Sequence, residues 1–315
     1  MSQDEFENLQ ESIHSQGYDW QAGPTSLSSL PPEEQERRLG LMLVPEEMVR
    51  LEAAMLELPP MAAEFPAAWD WRAVEGADWT TPIRDQKACG SCVAFGTVSA
   101  IEAMLKRHHG DPSLMPDLSE AHLFFCGCGN CCDKGWWPSY ALDYAQDSGV
   151  PDEACFPYQD HDMPCTDSCQ DWSSRAVKVT GWQEILDLGA RKEWLANRGP
   201  MVGCMAVYRD FFSYTGGVYR HTTGSLAGYH AIGVVGYSED EQCWICKNSW
   251  GPDWGDSGWF KIGYGEAEID TRFPMYGVED VTPPSPEPPP PPPPPPPPQP
   301  DGCLQQILRL LGGGS

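Results

Sequence analysis

Cys92 lies in the segment Gln86-Lys-Ala-Cys-Gly-Ser-Cys-Val-Ala-Phe95, where a helical pattern begins that runs from Ser91 to about His108. At a helix start the dipole and the free backbone N–H groups favour thiolate over thiol. A cysteine nucleophile needs that help, because the unperturbed group is mostly protonated at neutral pH. Gly90 and Ser91 keep the backbone slim beside the sulfur, so that an extended chain can approach it. Gln86 offers a side-chain N–H which, with the backbone N–H of Cys92, can hold the oxyanion of a tetrahedral intermediate.

Two later segments carry partners for such a thiol. Gly228-Tyr-His-Ala-Ile-Gly-Val-Val-Gly-Tyr237 places His230 at the mouth of an apolar strand, and Lys247-Asn-Ser-Trp-Gly-Pro-Asp-Trp-Gly255 places Asn248 before a Trp- and Gly-rich turn. His230 can share a proton with Cys92, the Asn248 amide can fix the tautomer and orientation of the ring, and Trp250 can shield that hydrogen bond from water. Taken singly each residue has a duller reading: strand histidines are more often structural, and helix-start cysteines are more often buried thiols or half-cystines. In the order Cys, His, Asn they point together to acyl transfer.

The elements that must position them fall in two halves. From about Phe65 to Val281 the composition is that of a folded body. Its first half carries the helix of Cys92 and a second helical pattern from Trp137 to Gln146. Its second half reads as strands over Met201–Tyr208, Ala231–Tyr237, Cys243–Lys247 and Gly258–Gly263, as expected for an antiparallel sheet or barrel. The expected class is α+β, with a cleft between the halves.

Segments of different character flank the body. Residues 1–63 read as a leader, with Pro31-Pro32 before the charged run Glu33–Arg38 and an amphipathic helix over Glu46–Leu58 that aligns Met48, Leu51, Met55 and Leu58. Pro59-Pro60 would stop that helix. The leader is expected to dock on the body over the active site. After Thr282, residues 282–300 hold the unbroken proline run Pro288–Pro298, a stiff polyproline spacer of about 3.1 Å per residue. Residues 301–315 align Leu304, Ile307, Leu308 and Leu311, a short helical face expected to fold on a partner, a protein scaffold or shell.

Composition narrows the function classes. The 315 residues hold 46 Asp and Glu against 20 Lys and Arg, for a net charge of -26. That balance argues against nucleic-acid binding and against an electrostatic membrane anchor. No apolar run approaches the roughly 18 residues that cross a bilayer, and MSQDEFENLQ is not a secretory signal. The default compartment is the cytoplasm. Thirteen cysteines, seven of them between Cys126 and Cys169, point instead to an oxidising or sequestered compartment, or to a metal site.

QKACGSCVAF, GYHAIGVVGY and KNSWGPDWGDSGW resemble the three signature blocks of the papain-like cysteine peptidases; WDWR (Trp69–Arg72) is similar to that family's mature N-terminus, and LSEAHLFFC (Leu118–Cys126) to the stretch after its active-site helix. The resemblance implies a two-lobed fold, with a helical lobe and an antiparallel β-barrel lobe flanking the cleft. It makes Cys92 the nucleophile, His230 the general acid/base, Asn248 the orienter and Gln86 the oxyanion donor. It likens Gly135 to the glycine whose backbone pairs with substrate, and Trp254 to the indole on the leaving-group side. It implies pairing of Cys89 with Cys131 or Cys132, and of Cys126 with Cys165 or Cys169. Val93, Tyr229 and Lys134 depart from the usual Trp, Asp or Asn, and Gly. The leader lacks the long motif of papain and the cathepsins and resembles a short bacterial type, while Glu153–Cys165 resembles cathepsin C.

The resulting expectation is a cysteine endopeptidase acting on proteins or peptides, made as a zymogen and needing no cofactor. A transpeptidase or ligase on the same fold and a non-catalytic binding protein are the alternatives. Cys126-x-Cys128-x-x-Cys131-Cys132 is crowded for zinc and has no histidine beside it in the usual pattern, so no metal is expected there. Cys204 and Cys246 fall in strands and read as buried thiols. His108-His109 invites comparison with the paired histidines of cathepsin B, but falls where cations suit a helix C-terminus.

Overall fold

Two apolar clusters organise the chain, whose computed structural model describes residues 3–57 and 65–284. The expected spacer and docking helix beyond residue 284 lie outside these residues, as do Leu58, Pro59 and Pro60.

The leader comprises α1 (Gln3–Ser15), the two-residue strand β1 (Gln21–Ala22), α2 (Pro32–Glu36) and α3 (Pro45–Leu56). Prolines at the first turns of α2 and α3 fit positions whose N–H would be unpaired in any case. α1 is an element not expected from the sequence; its Phe6, Leu9 and Ile13 at i, i+3 and i+7 are buried on one face. Within α3 only Leu51 is fully buried, and Val49 and Leu56 are exposed.

The body opens with β2 (Ala68–Asp70) and α4 (Cys92–His109), followed by α5 (Pro138–Asp147), the one-turn α6 (Trp172–Arg175), β3 (Lys178–Ile185), α7 (Leu188–Asn197) and β4 (Met201–Tyr208). Short β5 (Tyr214–Gly216) and β6 (Val218–Tyr219) lead to the long β7 (Leu226–Ser238), then β8 (Cys243–Lys247), β9 (Trp259–Gly263) and β10 (Met275–Thr282). The sheet runs β3-β10-β4-β7-β8-β9-β6, with β2 also on β7. Its pairings are antiparallel except that β6 lies parallel to β9, a departure from the expected all-antiparallel sheet. β1 pairs with β5, outside this sheet.

The helical lobe packs α4 and α5 around Ile101, Phe124, Trp137 and Leu142; the β lobe encloses Phe211, Tyr219, Trp244, Trp250, Phe260 and Ile262. This is the two-lobed α+β fold that the signature blocks implied. α4 lies at the seam because its face toward β7 is small: a Cβ on Gly96 would come within 3.3 Å of the Ile232 backbone. The helix ends at Gly110 in the left-handed region (φ 62°), with basic residues from Lys106 to His109 in its last turn. His108 also meets Asp280 at 3.1 Å.

Candidate active site

Three elements converge on one point. Cys92 is the first residue of α4, His230 sits in β7 paired to Met205 of β4, and Asn248 follows β8, with its N–H on the Gly258 carbonyl at 3.0 Å. All three are buried in the full-length chain. His230 Nε2 lies 2.8 Å from Asn248 Oδ1, which makes Nε2 the donor and leaves Nδ1 as the basic nitrogen; Nδ1 has no hydrogen-bond partner. Asn248 Oδ1 also accepts the Ser249 N–H at 2.8 Å, which settles the orientation of the amide. The Ala231 N–H, next in the chain to His230, reaches Cys92 Sγ at 3.4 Å. The ring of Trp250 lies 4.7 Å from that of His230 and walls off the His–Asn bond.

Gln86 is fixed at both ends of its amide. Its Oε1 accepts from Ser249 Oγ at 2.7 Å, and its Nε2 donates to the Cys89 carbonyl at 2.8 Å and to the Arg38 carbonyl at 3.1 Å. The Gln86 carbonyl accepts from Tyr158 Oη at 2.8 Å, whose oxygen also meets Ser91 Oγ at 2.7 Å. Tyr158 thus ties the Gln86 loop to the residue before Cys92, and the sequence reading missed it. Its only signal was an aromatic in the segment Glu153–Cys165. Ser91 is fully buried by this bond and does not line a free surface.

The glycines explain how close the chains come. A Cβ on Gly90 would lie 2.6 Å from the Cys132 carbonyl oxygen, and one on Gly135 (φ 74°) 2.1 Å from the Gly40 oxygen. Gly40 belongs to the leader. Trp136 N–H donates to the Gly40 carbonyl at 2.8 Å, Met42 N–H to the Trp136 carbonyl at 3.0 Å, and Leu41 N–H to the Tyr229 carbonyl at 3.2 Å. Leu41 and Trp136 form a parallel bridge. The extended segment Arg38–Met42, rather than either helix flanking it, is the part of the leader that meets Gln86, Gly135 and Tyr229. It is held by Arg38 on Asp85 at 2.9 Å, by Arg209 on Glu36, and by Arg50 on Glu184 at 2.7 Å. Farther along, Trp20 is buried against Tyr219 and donates to Thr222 Oγ1 at 3.2 Å.

Burial under this cover changes the electrostatics of the dyad. It pushes the Cys92 thiol up to about 11, against nearby N–H groups of Ala231, Gly40 and Val93 that pull the other way. It pushes His230 down to about 4, against the Asn248 bond, which pulls the other way. The covered pair is a neutral thiol and a neutral imidazole. Beside it, the Thr81 hydroxyl accepts from Lys247 Nζ at 2.8 Å and donates to Glu102 Oε2 at 2.5 Å, a buried hydrogen-bonded relay.

Other expectations meet mixed outcomes. Trp254 has no exposed surface in the full-length chain; it stacks edge-on to Trp250 at 4.8 Å and on Phe211 at 5.0 Å, so Trp250 stands between it and His230. Cys89 pairs with Cys132 and Cys126 with Cys165. Of the alternatives left open, Cys131 instead closes a tight loop with Cys128, and Cys169 pairs with Cys155. The crowded cysteines from 126 to 132 are therefore spent on three disulfides. Cys204 and Cys246 are buried free thiols, as expected.

A family model described as papain family cysteine protease matches residues 65–277. The chain is 32% identical over 265 residues to "Cathepsin B-like CP3" of Giardia intestinalis, covering 77% of this chain and 83% of that protein. It is 33% identical over 249 residues to cathepsin K of Gallus gallus, covering 77% and 72%. Among solved structures, "proCathepsin B S9 from Trypanosoma congolense" superposes with a TM-score of 0.72 at 25% identity, over 90% of this chain and 99% of that one. Procathepsin L 3 of Tenebrio molitor larval midgut matches the fold with a TM-score of 0.69. Among the described residues, no helix is long and apolar enough to cross a membrane. The chain belongs to the papain family of cysteine proteases, hydrolases of protein substrates, and is made as a zymogen.

Proposed function

We propose that the chain is an endopeptidase in which Cys92 attacks the scissile carbonyl, His230 takes the thiol proton through Nδ1 and returns it to the leaving amine, and Asn248 holds the ring. Gln86 Nε2 and backbone N–H groups hold the oxyanion, and water activated by His230 then frees the acyl group from Cys92. The observation that carries this reading is the Arg38 carbonyl on the Gln86 amide: a peptide oxygen already rests on the proposed oxyanion donor.

Cleavage within chains is supported by the course of the leader. It runs unbroken from Ser26, bonded to the Asp253 carbonyl, through Arg38–Met42 to Arg50 on Glu184, so the cleft admits a continuous chain across the dyad. Residues 1–63 are the inhibitory segment: within it Arg38–Met42 fills the cleft and, by excluding water, keeps the nucleophile protonated. The test compares full-length and leader-trimmed protein for labelling of Cys92 by an epoxide inhibitor and for peptide hydrolysis. Fast labelling and turnover only after trimming are expected. Equal rates in both forms would remove the inhibitory role, and an inert trimmed protein would remove the catalytic one.

A further inference from the structure

The helical lobe carries a histidine that the proposed reaction does not use. His122 opens a π-helical turn, His122–Cys126, and is fully buried, yet neither of its ring nitrogens has a hydrogen-bond partner. A buried imidazole normally donates one N–H and accepts at the other nitrogen, so two vacant nitrogens are a cost that packing alone does not explain. Its ring face is covered by Trp172 at 4.6 Å and Tyr144 at 5.9 Å. A ring nitrogen and the sulfurs of Cys126 and Cys165 all lie within 4.8 Å of one another.

We propose that, when the Cys126–Cys165 disulfide is reduced, the two sulfurs and His122 bind a thiophilic divalent cation such as Zn2+. Metal–sulfur and metal–nitrogen distances of about 2.3 and 2.0 Å put tetrahedral ligand atoms roughly 3.5–3.8 Å apart. The three atoms need about 1 Å of adjustment, and the sulfur pair, bonded at 2.01 Å, must open. In the reduction the S–S bond breaks, two thiols of a glutathione-class reductant become a disulfide, and their two electrons and two protons pass to Cys126 and Cys165. Cation binding then releases those two protons to solvent. Two thiolates and a neutral imidazole around a dication carry no net charge, which suits a site whose inner ligand, His122, is fully buried. Cys126 is half-buried and Cys165 exposed, so the site has an entry path, and its fourth position is left to water. The cation would cross-link the turn at His122–Cys126 to the turn at Cys165–Asp167, as the disulfide does. The lobe would then keep a clamp in reducing and oxidising surroundings alike.

The test uses the full chain with Cys92→Ser, which removes the reactive thiol and prevents self-digestion. The protein is reduced with a phosphine under anaerobic conditions and titrated with Co2+, then Zn2+. The expected result is a single Co2+ with the absorption of a tetrahedral thiolate site, displaced by Zn2+. It should be retained in C128S/C131S and in C155S/C169S. It should be lost in C126S/C165S, and in His122→Asn weakened by more than the roughly 10–100-fold that losing a ligand's hydrogen-bonding partner costs. Full binding by His122→Asn, loss confined to C128S/C131S, or equal uptake by the oxidised chain would each overturn the proposal. Should the reduced chain lose its fold without metal, the readout is recovery of the far-ultraviolet helical signal on adding Zn2+. Recovery in the C92S chain and not in its His122→Asn variant supports the site, and equal or absent recovery overturns it.

Discussion

The carboxamide of Gln86 donates to the carbonyl oxygen of Arg38 at 3.1 Å, so the group proposed to hold a substrate oxygen is holding a peptide oxygen of its own leader. Cover and catalyst meet through the same donor. In the trimmed enzyme, Gln86→Ala should lower kcat by about 10²–10³-fold, the usual effect of losing one oxyanion donor. Steady-state kinetics check this, with KM little changed. A rise in KM at constant kcat would mean that Gln86 only helps to bind.

Gly40 offers a sharper probe of the cover. A Cβ there would fall 1.8 Å from the Gly90 carbonyl oxygen, in backbone that cannot step aside. Gly40→Leu should unseat Arg38–Met42 while leaving the body intact. Untrimmed Gly40→Leu protein is therefore expected to hydrolyse peptide at a rate near that of trimmed wild type. A latent Gly40→Leu zymogen would place the inhibition in the helices instead.

The affinity of the leader for the body should depend on pH through His230 and Cys92. His230 is held down to about 4 in the covered state, against an ordinary value of 6.5. The open enzyme therefore binds a proton before the covered one does, and the covered state loses stability as pH falls from about 6.5 to 4. The full loss is about 3 kcal/mol, or about two orders of magnitude in affinity. Cys92 works in the opposite direction: raised from 9.0 to about 11, it makes the covered state lose stability as pH climbs through that range. Glu153, pushed up to about 7 by burial, belongs to the body in both states and drops out of the difference. The ion pairs of Arg38 with Asp85 and of Arg50 with Glu184, each with one partner well exposed, should add little. A leader peptide of residues 1–57 added to trimmed C92S enzyme loses only the Cys92 limb. Its Kd should be lowest near neutrality and rise about a hundredfold by pH 4. A flat profile would mean that the ring is not neutral under the cover.

Much of the candidate site was legible because the chemistry proposed for it needs particular residue types at particular places. A nucleophile at a helix start and an amide after a strand leave marks that survive in a single sequence, and Cys92, His230, Asn248 and Gln86 do meet. The strands Met201–Tyr208 and Cys243–Lys247 were equally plain, since both are buried throughout or nearly so and read as apolar runs. The half-exposed β3, Lys178–Ile185, and its partner β10 carry too many polar residues to stand out. Arg38–Met42 has no motif at all; its importance lies in the surface it meets, which no local reading contains. Tyr158 was hidden for the same reason. Disulfide connectivity is a property of the folded chain, so the pairings of Cys131 and Cys169 waited for it.

The two pairings that were missed should differ in what they contribute. Cys155 and Cys169 are 14 residues apart, and a loop of about that size restricts the unfolded chain by about 3 kcal/mol. Cys128 and Cys131 are 3 apart and restrict it by about 1 kcal/mol less. Cys155→Ser/Cys169→Ser in the C92S chain should therefore lower the stability to denaturant by about 3 kcal/mol, and Cys128→Ser/Cys131→Ser by a smaller amount. Both are compared at neutral pH by the midpoint of the helical signal, with the slope checked for constancy. The order of the two variants is the content of the prediction: if the short loop costs as much as the long one, its role is to hold the native turn after the π-helix, and not to limit the unfolded chain.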